Sequence, residues 1–155
     1  MENKQTACTE IDSSTNYRHD TFEVNKIKYV IGISIYSNAI MIIVTYNGKI
    51  GNMYTLDAEE EEEINYIEEG DAPEIKMCQC ILGDRRNEKT LFISNLILSS
   101  IQKKISLKNS KIKKYLLSLT LDESHSSDNK EFTINEDTKV FISALKESLN
   151  KILNI

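Results

Sequence analysis

An unbroken aliphatic run, Ile40-Met41-Ile42-Ile43-Val44, constrains the fold of this chain more than any other feature. A strand with one face in water alternates apolar and polar residues, whereas this run is apolar at every position. Alternation along a strand would place Ile40, Ile42 and Val44 on one face and Met41 and Ile43 on the other. Both faces need apolar cover. The chain's own helices can cover one face, and the sequence predicts that a partner protein covers the other.

Turn residues on both sides of this run divide residues 27–57 into three consecutive antiparallel strands. Asn47-Gly48 is typical of a type I′ hairpin, because both central residues of that turn need a positive φ. Ser37-Asn38 is a weaker signal of the same kind, since asparagine tolerates the left-handed region. We therefore predict a meander in which the strand of the aliphatic run lies between its two sequence neighbours.

Apolar periodicity adds three strands and two amphipathic helices to this meander. The strands are predicted at 21–24, 75–82 and 115–121, and the helices at 90–105 and from residue 136 to the C-terminus. This order predicts an α+β fold: a single six-stranded antiparallel sheet with two helices packed on one face. The other face is then available for dimerisation.

Polar residues before each predicted helix are candidate N-caps. For the first helix the candidates are Asp84 and Asn87, because aspartate and asparagine side chains accept hydrogen bonds from free backbone N–H groups. For the second helix they are Thr133, which has capping-box spacing to a glutamate three residues later, and Asn135.

Length and composition fit one domain. The chain has 155 residues, of which 40% are hydrophobic, and this is enough to build a core. Residues 1–19 are polar without periodicity, which predicts a disordered N-terminal tail before a domain at 20–155. The glutamates at 59–63 are interpreted as a solvated loop, with an acidic lure for a basic partner as the alternative. The basic stretch 106–114 is interpreted as an exposed linker.

Charge and hydropathy argue against several classes of partner and location. The net charge of −5 argues against general nucleic-acid binding, which needs a basic footprint. No apolar run approaches the roughly 20 residues that span a bilayer. The first residues lack the apolar region of a secretory signal, and an odd number of cysteines argues against a disulfide framework. We expect a protein of the cytoplasm or nucleus that binds neither membrane nor nucleic acid.

Residues able to carry catalysis or bind a metal are few. His19 and His125 lie in segments expected to be mobile, whereas a catalytic base needs a rigid supporting shell. Cys78 and Cys80 are too close in sequence for the usual zinc or redox spacing, and are interpreted as small buried hydrophobes. Glycine is too scarce for a phosphate-binding loop. The sequence predicts no catalytic residue, metal or cofactor, and leaves a small hydrolase or thiol enzyme as a minor alternative.

Two stretches resemble the proteasome assembly chaperone 3 family. Residues 37–51, Ser-Asn-Ala-Ile-Met-Ile-Ile-Val-Thr-Tyr-Asn-Gly-Lys-Ile-Gly, resemble its second hairpin, in which an apolar strand ending in Val-Thr leads into Gly-Lys-x-Gly. Residues 81–84, Ile-Leu-Gly-Asp, followed by 91–96, Leu-Phe-Ile-Ser-Asn-Leu, resemble a Leu-Leu-Gly strand end that leads into a helix. The order of elements extends the resemblance over residues 20–155.

The resemblance implies a non-catalytic chaperone of 20S proteasome α-ring assembly. Such proteins pair with a related small chaperone, sheet against sheet, and the pair holds α-type subunits. The expected partners are therefore a related assembly chaperone, or a second copy, and proteasome α-type subunits. The interface would be Ile40, Ile42 and Val44, or the opposite face with Met41 and Ile43. The alternative function is a small α+β scaffold or interaction module in trafficking or GTPase regulation, since fold does not fix function.

Overall fold

Six strands and two helices make up the parts of the chain that the computed structural model describes, residues 16–58, 77–122 and 134–154. In chain order they are β1 (Asn16–Val24), β2 (Ile27–Ile35), β3 (Ala39–Thr45), β4 (Asn52–Asp57), β5 (Gln79–Leu82), α1 (Glu88–Ser106), β6 (Lys114–Leu119) and α2 (Glu136–Leu153). The predicted α+β class and the order of the elements are confirmed.

The strands form one mixed sheet in the order β1-β2-β3-β6-β4-β5. Neighbouring strands are antiparallel except β3 and β6, which are parallel. The predicted all-antiparallel sheet is therefore wrong at this pair. The predicted meander is also wrong, because β6 lies between β3 and β4. Strand β3 lies at the centre of the sheet and is apolar on both faces. A turn signal shows that the chain reverses between two strands, but it does not show whether a third strand lies between them.

The connector between β3 and β4 passes over the end of β6. Gly48 has the predicted positive φ, 74°, but Asn47 does not, so the predicted type I′ turn is wrong. The turn also joins strands that are not neighbours. The Thr120 hydroxyl donates a hydrogen bond to the Lys49 carbonyl at 2.9 Å. A Cβ on Gly51 would lie 2.3 Å from the Leu119 carbonyl oxygen. The Gly-Lys-x-Gly sequence thus packs the connector closely against β6.

Both helices pack on one face of the sheet, as predicted. From α1, the Thr90 hydroxyl lies 2.6 Å from the Tyr54 hydroxyl of β4. From α2, the Phe141 ring centroid lies 5.0 Å from that of Tyr29 on β2. Neither helix is long and apolar enough to cross a bilayer. The largest fully buried aliphatic residues come from both helices and from three strands, β2, β3 and β6: Ile31, Ile33, Ile40, Ile42, Ile93, Ile97, Leu98, Leu117, Leu119 and Leu145.

Asparagine caps both helices. Asn87 and Asn135 each accept a hydrogen bond from the backbone N–H three residues later, at 3.1 and 2.8 Å. These bonds satisfy backbone donors that have no partner inside the helix. Asp84, the other candidate for α1, instead accepts a hydrogen bond from the Arg86 N–H and holds the preceding turn. Thr133, the other candidate for α2, lies outside the described residues.

Strand β1 begins at Asn16, inside the predicted tail 1–19, so its first four residues pair with β2. This part of the chain shows no apolar alternation because polar side chains face the helices. Arg18 donates from Nη1 to the Ile152 carbonyl near the end of α2 at 2.8 Å. Polar residues that are anchored in this way give a strand without its usual sequence signature. Residues 1–15 lie outside the described part of the chain.

Asp20 on β1 gives the fold a contact that depends on pH. The backbone N–H of Thr21 and the Ser148 hydroxyl, 2.9 Å away, donate to this carboxylate and hold its pKa below the ordinary value. A carboxylate with a pKa lowered by folding stabilises the fold above its unfolded pKa, and this contribution is lost as pH falls through the folded pKa. We expect Asp20→Asn to lower the melting temperature at pH 7, and the difference from wild type to shrink once the pH falls below the ordinary aspartate pKa of 3.8. Circular dichroism melts at pH 7 and at a pH below this value test this, and an equal difference at both would contradict it.

Candidate interaction surface

The sheet face opposite the helices is the candidate functional surface. Charged residues lie at its two ends, where Glu23 is opposite Lys28 and Asp57 is opposite Lys114. Between these ends the strand registers place uncharged residues, nine of which form the centre of the surface on β2, β3, β4 and β6. We call them the helix-free face: Val30, Gly32, Ser34, Met41, Ile43, Met53, Thr55, Leu116 and Ser118.

The aliphatic side chains of the helix-free face are partly exposed to water. Val30 is 40% exposed, and Met41, Ile43 and Leu116 are half-buried. By contrast, Ile42 on the opposite side of β3 is 0% exposed. Contiguous apolar surface of this kind is uncommon on soluble monomers and marks interaction sites when it occurs. The geometry fits contact with another protein.

The structure separates the two residue sets that the sequence analysis proposed for an interface. Ile40, Ile42 and Val44 face the helices and are almost fully buried in the core. Met41 and Ile43 belong to the helix-free face. The sequence left both sets open, because a period of two does not say which side of a strand the helices cover. The interface hypothesis is therefore carried forward for Met41 and Ile43 only.

Sequence reasoning missed Leu116 and Met53, which lie on the same face as Met41 and Ile43. Leu116 is opposite Met41, and Met53 is opposite Ser118, which in turn is opposite Ile43. A signal was present in β6, where consecutive leucines at 116 and 117 break the alternation just as the aliphatic run does in β3. Two adjacent non-alternating strands mark the centre of a sheet that is covered on both sides.

Two hydroxyl groups on the helix-free face are buried without a hydrogen-bond partner in the described residues. They are Thr55 Oγ1 and Ser118 Oγ. Ser118 lies between the longer side chains of Ile43 and Met53, which shield it from water. An unpaired buried polar group generally costs about 1–3 kcal/mol. A partner that brought a polar group to this surface would recover part of that free energy.

Tyr17 extends the helix-free face over β1. A Cβ on Gly32 would lie 3.0 Å from the Tyr17 hydroxyl oxygen, so the tyrosine side chain covers the glycine. Tyr17 also stacks on His19, with ring centroids 5.9 Å apart. His19 therefore lies on a strand beside an aromatic ring, rather than in the mobile segment that the sequence analysis expected.

A polar network ties the start of β4 to the turn before α1. The Asn52 side chain donates to the Asp84 carbonyl at 3.2 Å and to the Thr90 hydroxyl at 3.0 Å, and accepts from the Asp84 N–H at 2.9 Å. Burial raises the pKa of Tyr54, whose hydroxyl joins the network through Thr90. Gly83, with a φ of 103°, brings the turn against Asn52. The Leu-Gly-Asp sequence thus has a structural role.

A cleft of about 260 Å³ opens beside this network. It is lined by two aspartates, a lysine and several neutral groups, but by neither histidine nor cysteine from the described residues: Gly51, Asn52, Asp84, Asn87, Lys89, Thr90, Leu119, Thr120, Leu121 and Asp122. The described lining therefore contains no Ser–His or Cys–His pair of nucleophile and base.

Cys78 is buried in the core, while Cys80 is partly exposed. Burial raises the pKa of the Cys78 thiol to about 11. The Cys78 N–H donates to the Asn95 side chain at 3.0 Å, which fixes the start of β5 on α1. Within residues 16–58, 77–122 and 134–154, no three His, Cys, Asp or Glu side chains are grouped so that they could hold a metal ion.

The two thiols are expected to differ in reactivity. Since the thiolate is the nucleophile, a raised pKa and burial both slow alkylation of Cys78. We expect iodoacetamide at pH 8 to modify Cys80 at least about tenfold faster than Cys78 in the native chain. In denaturant the two rates should converge. Peptide mass spectrometry of timed samples measures both rates, and equal native rates would contradict the buried position of Cys78.

Comparison with solved structures gives a match that covers most of the chain. No protein-family model and no curated protein sequence matches the chain. Among solved structures, a chain from the crystal structure of a novel chaperone complex for yeast 20S proteasome assembly superposes with a TM-score of 0.51 at 14% sequence identity. The match covers 86% of this chain and 98% of that one. The protein therefore shares its fold with a chain of a yeast chaperone complex for 20S proteasome assembly.

Proposed function

We propose that this chain is a non-catalytic chaperone that promotes assembly of the 20S proteasome α-ring, acting as a dimer with a related small chaperone. The observation that carries the proposal is an uncovered apolar sheet face on a fold shared with a chain of a yeast proteasome-assembly chaperone complex. The match also favours this function over a scaffold in trafficking or GTPase regulation. The site of action would be the cytoplasm or nucleus.

The helix-free face fits a sheet-on-sheet dimer. Two sheets pack face to face at a spacing of about 10 Å, with side chains from the two inner faces interdigitating. Charges at its ends neutralise one another within the chain, since Asp57 lies 3.9 Å from Lys114 and Glu23 is opposite Lys28. Apolar fit, rather than long-range attraction, would then select the partner. A related chaperone with a similar face meets this requirement, and so does a second copy.

Affinity purification from a native lysate tests the function. The full chain is tagged, used as bait, and its co-purifying proteins are identified by mass spectrometry against an unrelated tagged protein of similar size. We expect a second small chaperone and proteasome α-type subunits, enriched together. Recovery of GTPases or coat proteins without α-type subunits would overturn the proposal and support the scaffold alternative. Recovery of α-type subunits with the bait as a homodimer would retain the function but replace the partner.

A further inference from the structure

A basic surface lies where α1 leads into β6. No acidic residue occurs between Glu88 and Asp122, although the whole chain carries a net charge of −5. The lysines are concentrated in residues 103–114, which we call the basic turn: Lys103, Lys104, Lys108, Lys111, Lys113 and Lys114.

The basic turn is held in a fixed conformation. Ile112, between Lys111 and Lys113, is buried in the core. The Asn109 side chain accepts a hydrogen bond from the Lys111 N–H at 3.0 Å. The Lys113 N–H donates to the Asn38 carbonyl at 2.8 Å, and the Lys113 carbonyl accepts from the Ala58 N–H at 2.7 Å. The stretch is exposed, as the sequence analysis expected, but it is anchored to the sheet rather than being a loose linker.

Three lysines of the basic turn are used within the fold. Lys104 donates to the Asn150 side chain at 2.6 Å, and Lys108 donates to the Asn154 carbonyl at 3.0 Å. Both contacts place a cation at the C-terminal end of α2, where the helix dipole favours positive charge. Lys114 lies 3.9 Å from Asp57.

The other three lysines, at positions 103, 111 and 113, have no acidic partner within the described residues 16–58, 77–122 and 134–154. In the same stretch of chain, Leu107 is 89% exposed. Leu107 caps the end of α1, and Lys103 lies one turn earlier on the same side of the helix. The basic turn therefore combines unpaired cations with an unburied apolar side chain.

We propose that the basic turn binds an acidic segment of a partner protein that also carries an apolar side chain. Leu107 contacts the apolar side chain, while Lys103, Lys111 and Lys113 pair with carboxylates. The overall negative charge disfavours an extended anionic membrane or nucleic acid. A short acidic peptide instead experiences mainly the positive charge of the basic turn, since charges are screened beyond about 8 Å at physiological salt. This surface shares no residue with the helix-free face, although Lys114 lies at the end of that face, and the proposal does not depend on the function proposed above.

Fluorescence anisotropy of the full chain with a short fluorescein-labelled peptide of repeated Glu-Glu-Leu units tests the proposal. We expect binding that weakens as the salt concentration rises to about 0.5 M. The double variant Lys103→Glu, Lys111→Glu should bind about fivefold more weakly, since each exposed pair contributes modestly. The matched control Lys26→Glu, Lys49→Glu changes net charge equally at exposed sites elsewhere and should retain affinity. Equal weakening in both double variants would overturn the proposal.

The apolar contact and the other classes of partner need separate measurements. Leu107→Ser should weaken peptide binding, whereas Ile50→Ser, at another exposed aliphatic residue, should not.

Binding to phosphatidylserine vesicles or an oligonucleotide but not to the peptide would overturn the proposal. Peptide binding that appears only when glutamates 59–63 are replaced by glutamine would also overturn the proposal, because the chain's own acidic run would then occupy the basic turn. Far-ultraviolet circular dichroism confirms that each variant is folded.

Discussion

Ile42→Lys is expected to abolish folding, because it places a charge in the core beneath the helices. Ile42 is 0% exposed and lies between Ile33 of β2 and Leu117 of β6, which are equally buried. A lysine at this position has no route to water and no acidic partner among its strand neighbours. Burial of an unpaired charge costs several kcal/mol. A domain of this size has only about 5–15 kcal/mol of total stability, so the folded state would be largely lost.

Ile43→Lys, at the next residue, is expected to leave the chain folded and to abolish pairing. Ile43 lies on the helix-free face between Gly32 and Ser118, where a lysine can reach solvent in the free chain. In a stacked pair of sheets the same ammonium group would be desolvated at the centre of the contact. Central interface residues contribute about 2 kcal/mol or more, equivalent to an affinity loss of roughly 30-fold.

Circular dichroism and co-purification with the partner separate the two lysine variants. Val140→Lys serves as the control, because Val140 is an exposed β-branched residue on α2, away from the sheet. This variant should fold and pair normally. If Ile43→Lys remains folded and still binds the partner, the helix-free face is not the dimer interface. Such a result would exclude this dimer interface but not the proposed function, because α-type subunits would bind at a different surface.

Gly83→Ala is expected to destabilise the fold by about 3 kcal/mol or more, well beyond the effect of Gly48→Ala. Both glycines have positive φ, 103° and 74° respectively. A Cβ on Gly48 would meet nothing within 4 Å, so only backbone strain of about 1–2 kcal/mol applies. A Cβ on Gly83 would lie 2.1 Å from the Asn52 side-chain oxygen and 3.0 Å from the Asn52 Cα. The asparagine must move, which breaks its bonds to Asp84 and Thr90.

Urea denaturation of the two glycine variants gives both free energies of unfolding. A double variant, Gly83→Ala with Asn52→Ala, isolates the steric part, because removal of the asparagine side chain relieves the clash. Residues in contact deviate from additivity, so the double variant should be less destabilised than the sum of the two single variants. Equal losses for Gly83→Ala and Gly48→Ala would show that the turn before α1 adjusts without involving Asn52.

Local signals in the sequence predicted the elements but not all of their neighbours. Helical spacing and the asparagine caps located α1 and α2, because these features depend on residues close in sequence. The sequence also predicted the positive φ of Gly48, but Asn47 lacks a positive φ, so the turn is not type I′. Its strands were also not adjacent, because β6 joins the sheet from more than 60 residues later in the chain. Insertion of a distant strand depends on pairing energies that no local pattern encodes.

The sequence predicts that β3 has an apolar face for a partner, but it does not predict which residues form that face. The apolar run at 40–44 indicated that β3 needs cover on both sides. Only the packing of α1 and α2 against the opposite face identifies Met41 and Ile43 as the outward pair. The contributions of Met53 and Leu116 depend on strand order, which brings β4 and β6 beside β3. The sequence predicts an exposed linker at residues 106–114, because the burial of Ile112 depends on tertiary packing that local sequence does not show.

The central position of β6 determines when the sheet can form during synthesis on the ribosome. Strands β1, β2 and β3 can pair as soon as they emerge, but β4 and β5 have no connection to that sheet until β6 arrives between them. Until then the nascent chain carries two separate fragments, and the free edge of β3 presents its aliphatic run with unpaired backbone groups. Exposed apolar strand edges are templates for misassembly. The chain would therefore be aggregation-prone during synthesis, until β6 inserts and closes the sheet.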